Sequence, residues 1–288
     1  MPTAKNKPSI EDVLHHWGAR TMPFCEDRPA EPFLSEPMRE GLELLDQTAA
    51  LRSVMLLNGL NGVGKSALVS YWAHSLEPKQ FLPVVITHAT LSGVGLLWSL
   101  ALRLGQEPST RRSENLERIH NGVRALAKVI PVLVLDEAQH YSAMALEEVR
   151  LLLGLNLPQQ PLFALVLIGD TYLLDTLRLQ SRRALFSRIA VSYQLPPLNP
   201  QQAEAYLRHR LEQAGLHRDC FDPAALNMLT SASDGICRTL NLLATAAWIE
   251  ATRQKADTIT PDHLQVALRR VPMAREKITP AAAGPAGR

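Results

Sequence analysis

The chain has 288 residues, 46% of them hydrophobic, with 30 basic against 28 acidic side chains and a net charge of +2. That length accommodates one nucleotide-binding-sized domain with a smaller companion, and the near-neutral balance argues neither for nor against nucleic acid, since binding needs only a local basic face. Cys25, Cys220 and Cys237 are odd in number and lack metal-ligand spacing, the nine histidines form no ligand cluster, no apolar stretch reaches the roughly 18–20 residues of a membrane span, and no signal-peptide pattern opens the chain. The reading is a soluble, reduced, cytoplasmic protein.

Along the chain, Pro23, Pro29, Pro32 and Pro37 prevent any long helix after Arg20, so residues 1–40 are expected to form an N-terminal arm. From residue 41 to 195, apolar runs alternate with helical patterns. Val54 to Leu57, Val84 to Thr87, Val132 to Leu135, Ala164 to Gly169 and Ile189 to Tyr193 are the strand candidates. This alternation predicts an α/β domain whose parallel sheet is flanked by helices. Beyond Pro196-Pro197 the pattern turns helical, near Pro200 to Ala214, Pro223 to Ala232, Cys237 to Lys255 and Pro261 to Arg269. Residues 196–275 therefore form a small all-helical lid domain, and 276–288 an Ala/Pro/Gly-rich tail expected to be disordered.

The strongest motif is Gly59-Leu60-Asn61-Gly62-Val63-Gly64-Lys65-Ser66, set between the strand candidate at Val54 and a helix pattern from Ala67 to Leu76. The spacing Gly-x-x-x-x-Gly-Lys-Ser lets backbone N–H groups surround a β-phosphate while Lys65 neutralises β/γ oxygens and Ser66 ligates Mg²⁺. ATP and Mg²⁺ are the implied cofactors, with Gly59, Asn61, Gly62, Val63, Gly64, Lys65, Ser66 and Ala67 as the nucleotide contacts. Downstream, Pro131 to Leu135 reads as a buried strand ending in Asp136-Glu137. Asp136 is the candidate Mg²⁺ partner and Glu137 the candidate general base that polarises water for in-line attack on the γ-phosphate. Asp136-Glu137-Ala138-Gln139 is also helicase-like, but no second motor domain accompanies it. A further strand ends at Gly169-Asp170-Thr171, where Asp170 or Thr171 could sense the phosphate; a helix N-cap suits Asp170 equally well. Arg182, Arg183 and Arg188 precede the last strand candidate with too few acids nearby to pair them all. Arg188, then Arg183, is the candidate to reach a neighbouring subunit's nucleotide, and Arg238 could reach the nucleotide of its own chain.

These landmarks resemble the AAA+ ATPases, and within them the ExeA-type group, which includes the general secretion pathway A protein and many ATPases encoded beside transposases. The resemblance extends to non-catalytic stretches: His16-Trp17-Gly18, Pro23-Phe24, Phe33-Leu34-Ser35, Leu146 to Leu152, Tyr206 to Leu211 with Ala214-Gly215, and Gly235 to Arg238 before Asn241. Asp170 stands where this group commonly carries Gln, and Cys237 where it commonly carries Pro. With no membrane-spanning extension after Arg288, the chain is similar to the helper ATPases of transposition, the TnsC, TniB and Mu B type. That resemblance implies a homo-oligomeric ring or helical filament on double-stranded DNA, bound without sequence preference and away from any membrane. It would mark a target site and recruit or activate a transposase, with ATP hydrolysis stimulated by partner or DNA. The alternative is a soluble ExeA-like ATPase serving assembly of a secretion or pilus system. Arg103, Arg111, Arg112, Arg118, Arg124 and Lys128 are the candidate DNA contacts, although interspersed Glu107, Glu114 and Glu117 suit a salt-bridged helix face as well.

Overall fold

The computed structural model describes residues 8–25, 31–87, 92–155 and 161–272. They fall into two compact units, one of Glu36–Asn61 with Lys65–Pro196, the other the described parts of Met1–Ser35, Gly62–Gly64 and Pro197–Arg288.

The first unit is a five-stranded parallel sheet in the order β2-β3-β4-β1-β5, built from β1 (Val54–Asn58), β2 (Phe81–Ile86), β3 (Ile130–Leu135), β4 (Ala164–Ile168) and β5 (Val191–Gln194). The central β1 and β4 are buried at every position, and β3 at all but its first. That is why the sequence shows apolar runs rather than alternation: both faces of a parallel sheet are covered. One face packs Val54, Leu56, Leu133, Leu135, Leu165 and Leu167 into a core with α4 (Gly93–Arg103), α5 (Arg112–Ala125), α6 (Ala143–Leu152), α7 (Thr171–Arg178) and α8 (Arg183–Phe186). α2 (Glu36–Leu51) runs against β4, β1 and β5 and also packs on α3 (Lys65–Ser75), burying Leu45, Ala49, Leu68, Val69 and Trp72.

Two strands begin elsewhere than the sequence suggests. β2 starts at Phe81 and runs through Pro83, which an edge strand tolerates because the missing N–H faces no neighbour. β5 starts at Val191 because Ile189 is still held in the preceding turn, its N–H donating to Phe186 O at 3.1 Å.

The second unit is helical: α1 (Ile10–Trp17), α9 (Pro200–Gln213), α10 (Pro223–Ser233), α11 (Cys237–Arg253) and α12 (Pro261–Arg270). Three of these helices open with a capping residue followed by proline at the first helical position, Asn199-Pro200, Asp222-Pro223 and Thr260-Pro261. Proline loses nothing there because that N–H has no intrahelical partner. The expected arm contains α1, begun by a Ser9–Asp12 capping box and stopped by left-handed Gly18. Its Trp17 stacks on Trp248 of α11, centroids 5.2 Å apart and planes at 11°, and donates Nε1–H to Thr252 Oγ1 at 2.9 Å. Trp17, Phe24 and Trp248 are thus core residues. The expected disordered tail lies outside the described residues.

Candidate functional site

Register decides which side chains meet. β1 pairs Leu57 with Ile168 of β4, and β4 pairs Leu167 with Leu135 of β3, so the residues following these strands emerge at one carboxyl edge of the sheet. Those residues are Gly59, Asp136-Glu137 and Gly169-Asp170, in the place where open α/β sheets bind ligands.

The loop after β1 carries φ of +152° at Gly59, +87° at Gly62 and +110° at Gly64. Side chains rarely adopt such backbones, and a Cβ at Gly59 would sit 2.6 Å from the Leu195 carbonyl oxygen. Lys65 opens α3 and is buried, its ammonium donating to the carbonyls of Gly59 at 2.8 Å and Leu60 at 2.9 Å. Ser66 and Ala67 occupy the same first turn of α3 and are exposed; Asn61 is exposed, and Val63 is buried. Gly62–Gly64 cluster with the helical unit, where the Arg238 N–H donates to Gly62 O at 3.1 Å and Cys237 Sγ lies 3.5 Å from Val63 O. Burial pushes the Cys237 thiol up to about 11.

After β3, Asp136 donates its N–H to Ile86 O at 3.0 Å, and its Oδ1 accepts the Glu137 N–H at 2.9 Å. Glu137 is exposed and left-handed, at φ 53° and ψ 42°. Its carboxylate accepts Gln139 Nε2–H at 2.6 Å, while Gln139 Oε1 accepts the Asp170 N–H at 3.3 Å. Beneath them Tyr141 is buried and donates to Ile86 O at 3.3 Å; burial, then the Asp136 charge, pushes its hydroxyl above the usual range, so it remains a proton donor.

Of the two readings for Asp170, the geometry shows the cap: its Oδ1 accepts the N–H groups of Tyr172 at 3.0 Å and Leu173 at 3.1 Å at the start of α7. Thr171 is the first residue of that helix, half-buried. Arg188 donates Nη1–H to Arg150 O at 2.6 Å, near the C-terminal end of α6, where a cation also meets the helix dipole. Arg182 donates to Thr176 O at 3.4 Å, and Arg183 is exposed at the first position of α8.

The six basic residues proposed for DNA divide in two. Arg112 pairs with the buried Glu148 at 2.6 Å, Arg111 with Glu114 at 3.1 Å, and Arg118 with Glu114 at 3.6 Å and the Glu107 carbonyl. The hydrogen bond to Glu148 raises the Arg112 pKa. Arg103, Arg124 and Lys128 are exposed. Glu148 and Gln139 are the residues that sequence reasoning left without a role, although Gln139 stood in view two positions after Glu137.

The AAA domain family matches residues 49–177, the stretch that holds the loop, Asp136, Glu137 and Asp170. Residues 49–177 form an AAA domain, and the chain has the AAA+ P-loop fold. The chain is similar to the general secretion pathway protein A of Aeromonas hydrophila, 31% identical over 229 residues, which is 78% of this chain and 42% of that protein. It therefore spans less than half the length of this relative. Among solved structures, the Aeropyrum pernix ORC1 protein in complex with DNA superposes at a TM-score of 0.64 with 21% identity, covering 89% of this chain and 68% of that one. Drosophila ORC bound to DNA gives 0.62 with 17% identity over 98% of this chain and 69% of that one. The Thermotoga maritima RuvB Holliday junction branch migration motor gives 0.57 with 18% identity over 86% and 73%. At these identities the likeness establishes the fold.

Proposed function

We propose that this protein is an ATPase, a DNA-binding regulator of transposition that oligomerises on double-stranded DNA, marks a target site and recruits or activates a transposase. The observation that carries the reading is the joining of a complete ATP site to a fold whose solved neighbours include DNA-bound ORC structures and a branch migration motor. In this reading Lys65 neutralises β/γ-phosphate oxygens and the glycine-backed amides of Gly59 to Gly64 hold the β-phosphate. Ser66 and Asp136 would hold Mg²⁺. A Mg²⁺ ion there would take one carboxylate, a hydroxyl and phosphate oxygens. When bound, Mg²⁺ neutralises charge on the β- and γ-phosphoryl oxygens. Glu137 orients and deprotonates the attacking water, and Arg183 or Arg188 serves the neighbouring subunit's site.

DNA contact is assigned to Arg103, Arg124 and Lys128 first, because they are exposed and no carboxylate pairs with them among the described residues. Repeated around an oligomer, a few phosphate contacts per subunit add to a salt-dependent affinity. No helix among the described residues is long and apolar enough to cross a membrane. A second reading, an ATPase serving secretion or pilus assembly, is favoured by the identity to general secretion pathway protein A. Filter binding to duplex DNA with a nonhydrolysable ATP analogue separates the two: nucleotide-dependent retention at low salt supports the first, and no association at any salt sinks it.

A further inference from the structure

We propose that Gln139 is a positioning residue of the ATPase site, tying the Glu137 carboxylate to the carboxyl end of β4; the proposal rests on Glu137 as the water-activating base. Glu137 is an exposed side chain on a left-handed backbone, φ +53°, a strained conformation that persists only where neighbours over-determine it. One restraint is local, the Asp136 Oδ1 that accepts the Glu137 N–H. The other is Gln139, whose amide spans two chain segments, with Nε2 on Glu137 Oε2 at 2.6 Å and Oε1 on the Asp170 N–H at 3.3 Å.

The amide's orientation follows from its partners. A carboxylate only accepts and a backbone N–H only donates, so a flipped amide would face two repulsive contacts. A Cβ at Gly169 would collide with the Leu173 side chain and stand 2.7 Å from Gln139 Oε1, so the glycine that follows β4 leaves space that Leu173 and Gln139 share. The anchor at the far end is rigid, because Asp170 is itself pinned as the N-cap of α7 and Gly169 N–H bonds to Leu57 O at 3.1 Å. Gln139 thereby converts a mobile surface carboxylate into one fixed relative to the sheet edge from which the phosphate loop also emerges. Fixing a base matters because a misplacement of about 1 Å can cost on the order of 10²-fold in rate. It also links Glu137 to the first residues of α7, so a displacement there reaches the base through one side chain.

The test measures kcat and KM for ATP, with binding of a fluorescent ATP analogue, for the full chain and for Glu137→Gln, Gln139→Leu, Gln139→Glu and the double variant Glu137→Gln with Gln139→Leu. Gln139→Glu keeps an acceptor for the Asp170 N–H and removes the donor to Glu137. Both Gln139 variants should lose kcat by about tenfold to a hundredfold with KM and analogue affinity within about twofold, the pattern of a group acting in the chemical step. In the Glu137→Gln background, Gln139→Leu should change nothing further, because its effect passes through the missing carboxylate. A Gln139→Glu variant at the unsubstituted kcat, or losses that multiply in the double variant, overturns the proposal while leaving Glu137 as the base. Unchanged turnover in Glu137→Gln removes the base itself, and this inference with it.

Discussion

Replacing Gly59 by alanine tests whether the phosphate loop is shaped by backbone that only glycine supplies. At φ +152° an alanine is strained, which costs about 1–2 kcal/mol. Its Cβ would also lie 2.6 Å from Leu195 O, a backbone atom fixed by the Leu195 N–H bond to Asn58 O at 2.8 Å, so the chain itself must shift. Overpacking of that kind adds about 1–3 kcal/mol, and the two contributions together give roughly 2–5 kcal/mol. Gly105 provides the control in the same unit: φ is +72°, but nothing lies within 4 Å of an added Cβ, so Gly105→Ala bears the conformational cost alone. Thermal unfolding with and without a nonhydrolysable ATP analogue reads both effects. The Gly59 variant should melt lower than the Gly105 variant by an amount corresponding to about 1–3 kcal/mol, at roughly 2–4 °C per kcal/mol. Saturating analogue should raise the melting temperature of Gly105→Ala, as a ligand at about 100 times its Kd stabilises by about 2.7 kcal/mol, and should leave Gly59→Ala unmoved. Equal melting of the two variants, or an undiminished nucleotide shift in Gly59→Ala, would refute the steric reasoning.

Lys65→Ala should weaken nucleotide binding by roughly 10- to 150-fold, the loss of a charge-assisted contact worth about 1.5–3 kcal/mol. Glu137→Gln should bind ATP normally, lose about 10²–10⁴ of turnover and accumulate oligomers; equal loss of binding in both variants would overturn this division of labour. Arg183→Ala should cut turnover only under conditions where the protein oligomerises, whereas Arg188→Ala should also lower thermal stability, because its guanidinium caps the Arg150 carbonyl. A stable Arg188→Ala protein with turnover lost only in the oligomer would return the trans role to Arg188. In the helical unit, Glu250 is buried beside Arg253 at 2.5 Å and Arg270 at 3.0 Å. Burial works to raise its carboxyl pKa, but hydrogen bonds from Gln254 and Arg253 hold it below the ordinary 4.5. Its stabilisation is thus complete above 4.5 and lost as pH falls through the lowered value. Melting curves across that range should show a shallower acid decline for Glu250→Gln; an identical slope would remove Glu250 from the acid response.

The sheet and the glycine-rich loop after its first strand were legible because both are local in sequence. A buried parallel strand is a continuous apolar run, and the loop and the Asp136-Glu137 pair each occupy consecutive positions. The helix starts were legible for the same reason, since Asn199-Pro200, Asp222-Pro223 and Thr260-Pro261 carry cap and proline side by side. What escaped depends on pairs distant in the chain. Trp17 meets Trp248, so a segment that reads as a proline-dotted arm carries part of a helical core. Gln139 meets Asp170 and Arg112 meets Glu148, contacts that no local pattern encodes. The basic run from Arg103 to Lys128 was ambiguous in sequence because its acids are interleaved, and only geometry separates paired Arg111, Arg112 and Arg118 from exposed Arg103, Arg124 and Lys128.

If ATP binding governs assembly on DNA, as proposed, steady-state ATPase activity should depend on duplex DNA. Turnover should be stimulated by duplex of any sequence, with stimulation that falls as salt rises and is absent in Arg103→Ala/Arg124→Ala/Lys128→Ala. Turnover indifferent to DNA at low salt, in a preparation that hydrolyses ATP and oligomerises, would contradict it.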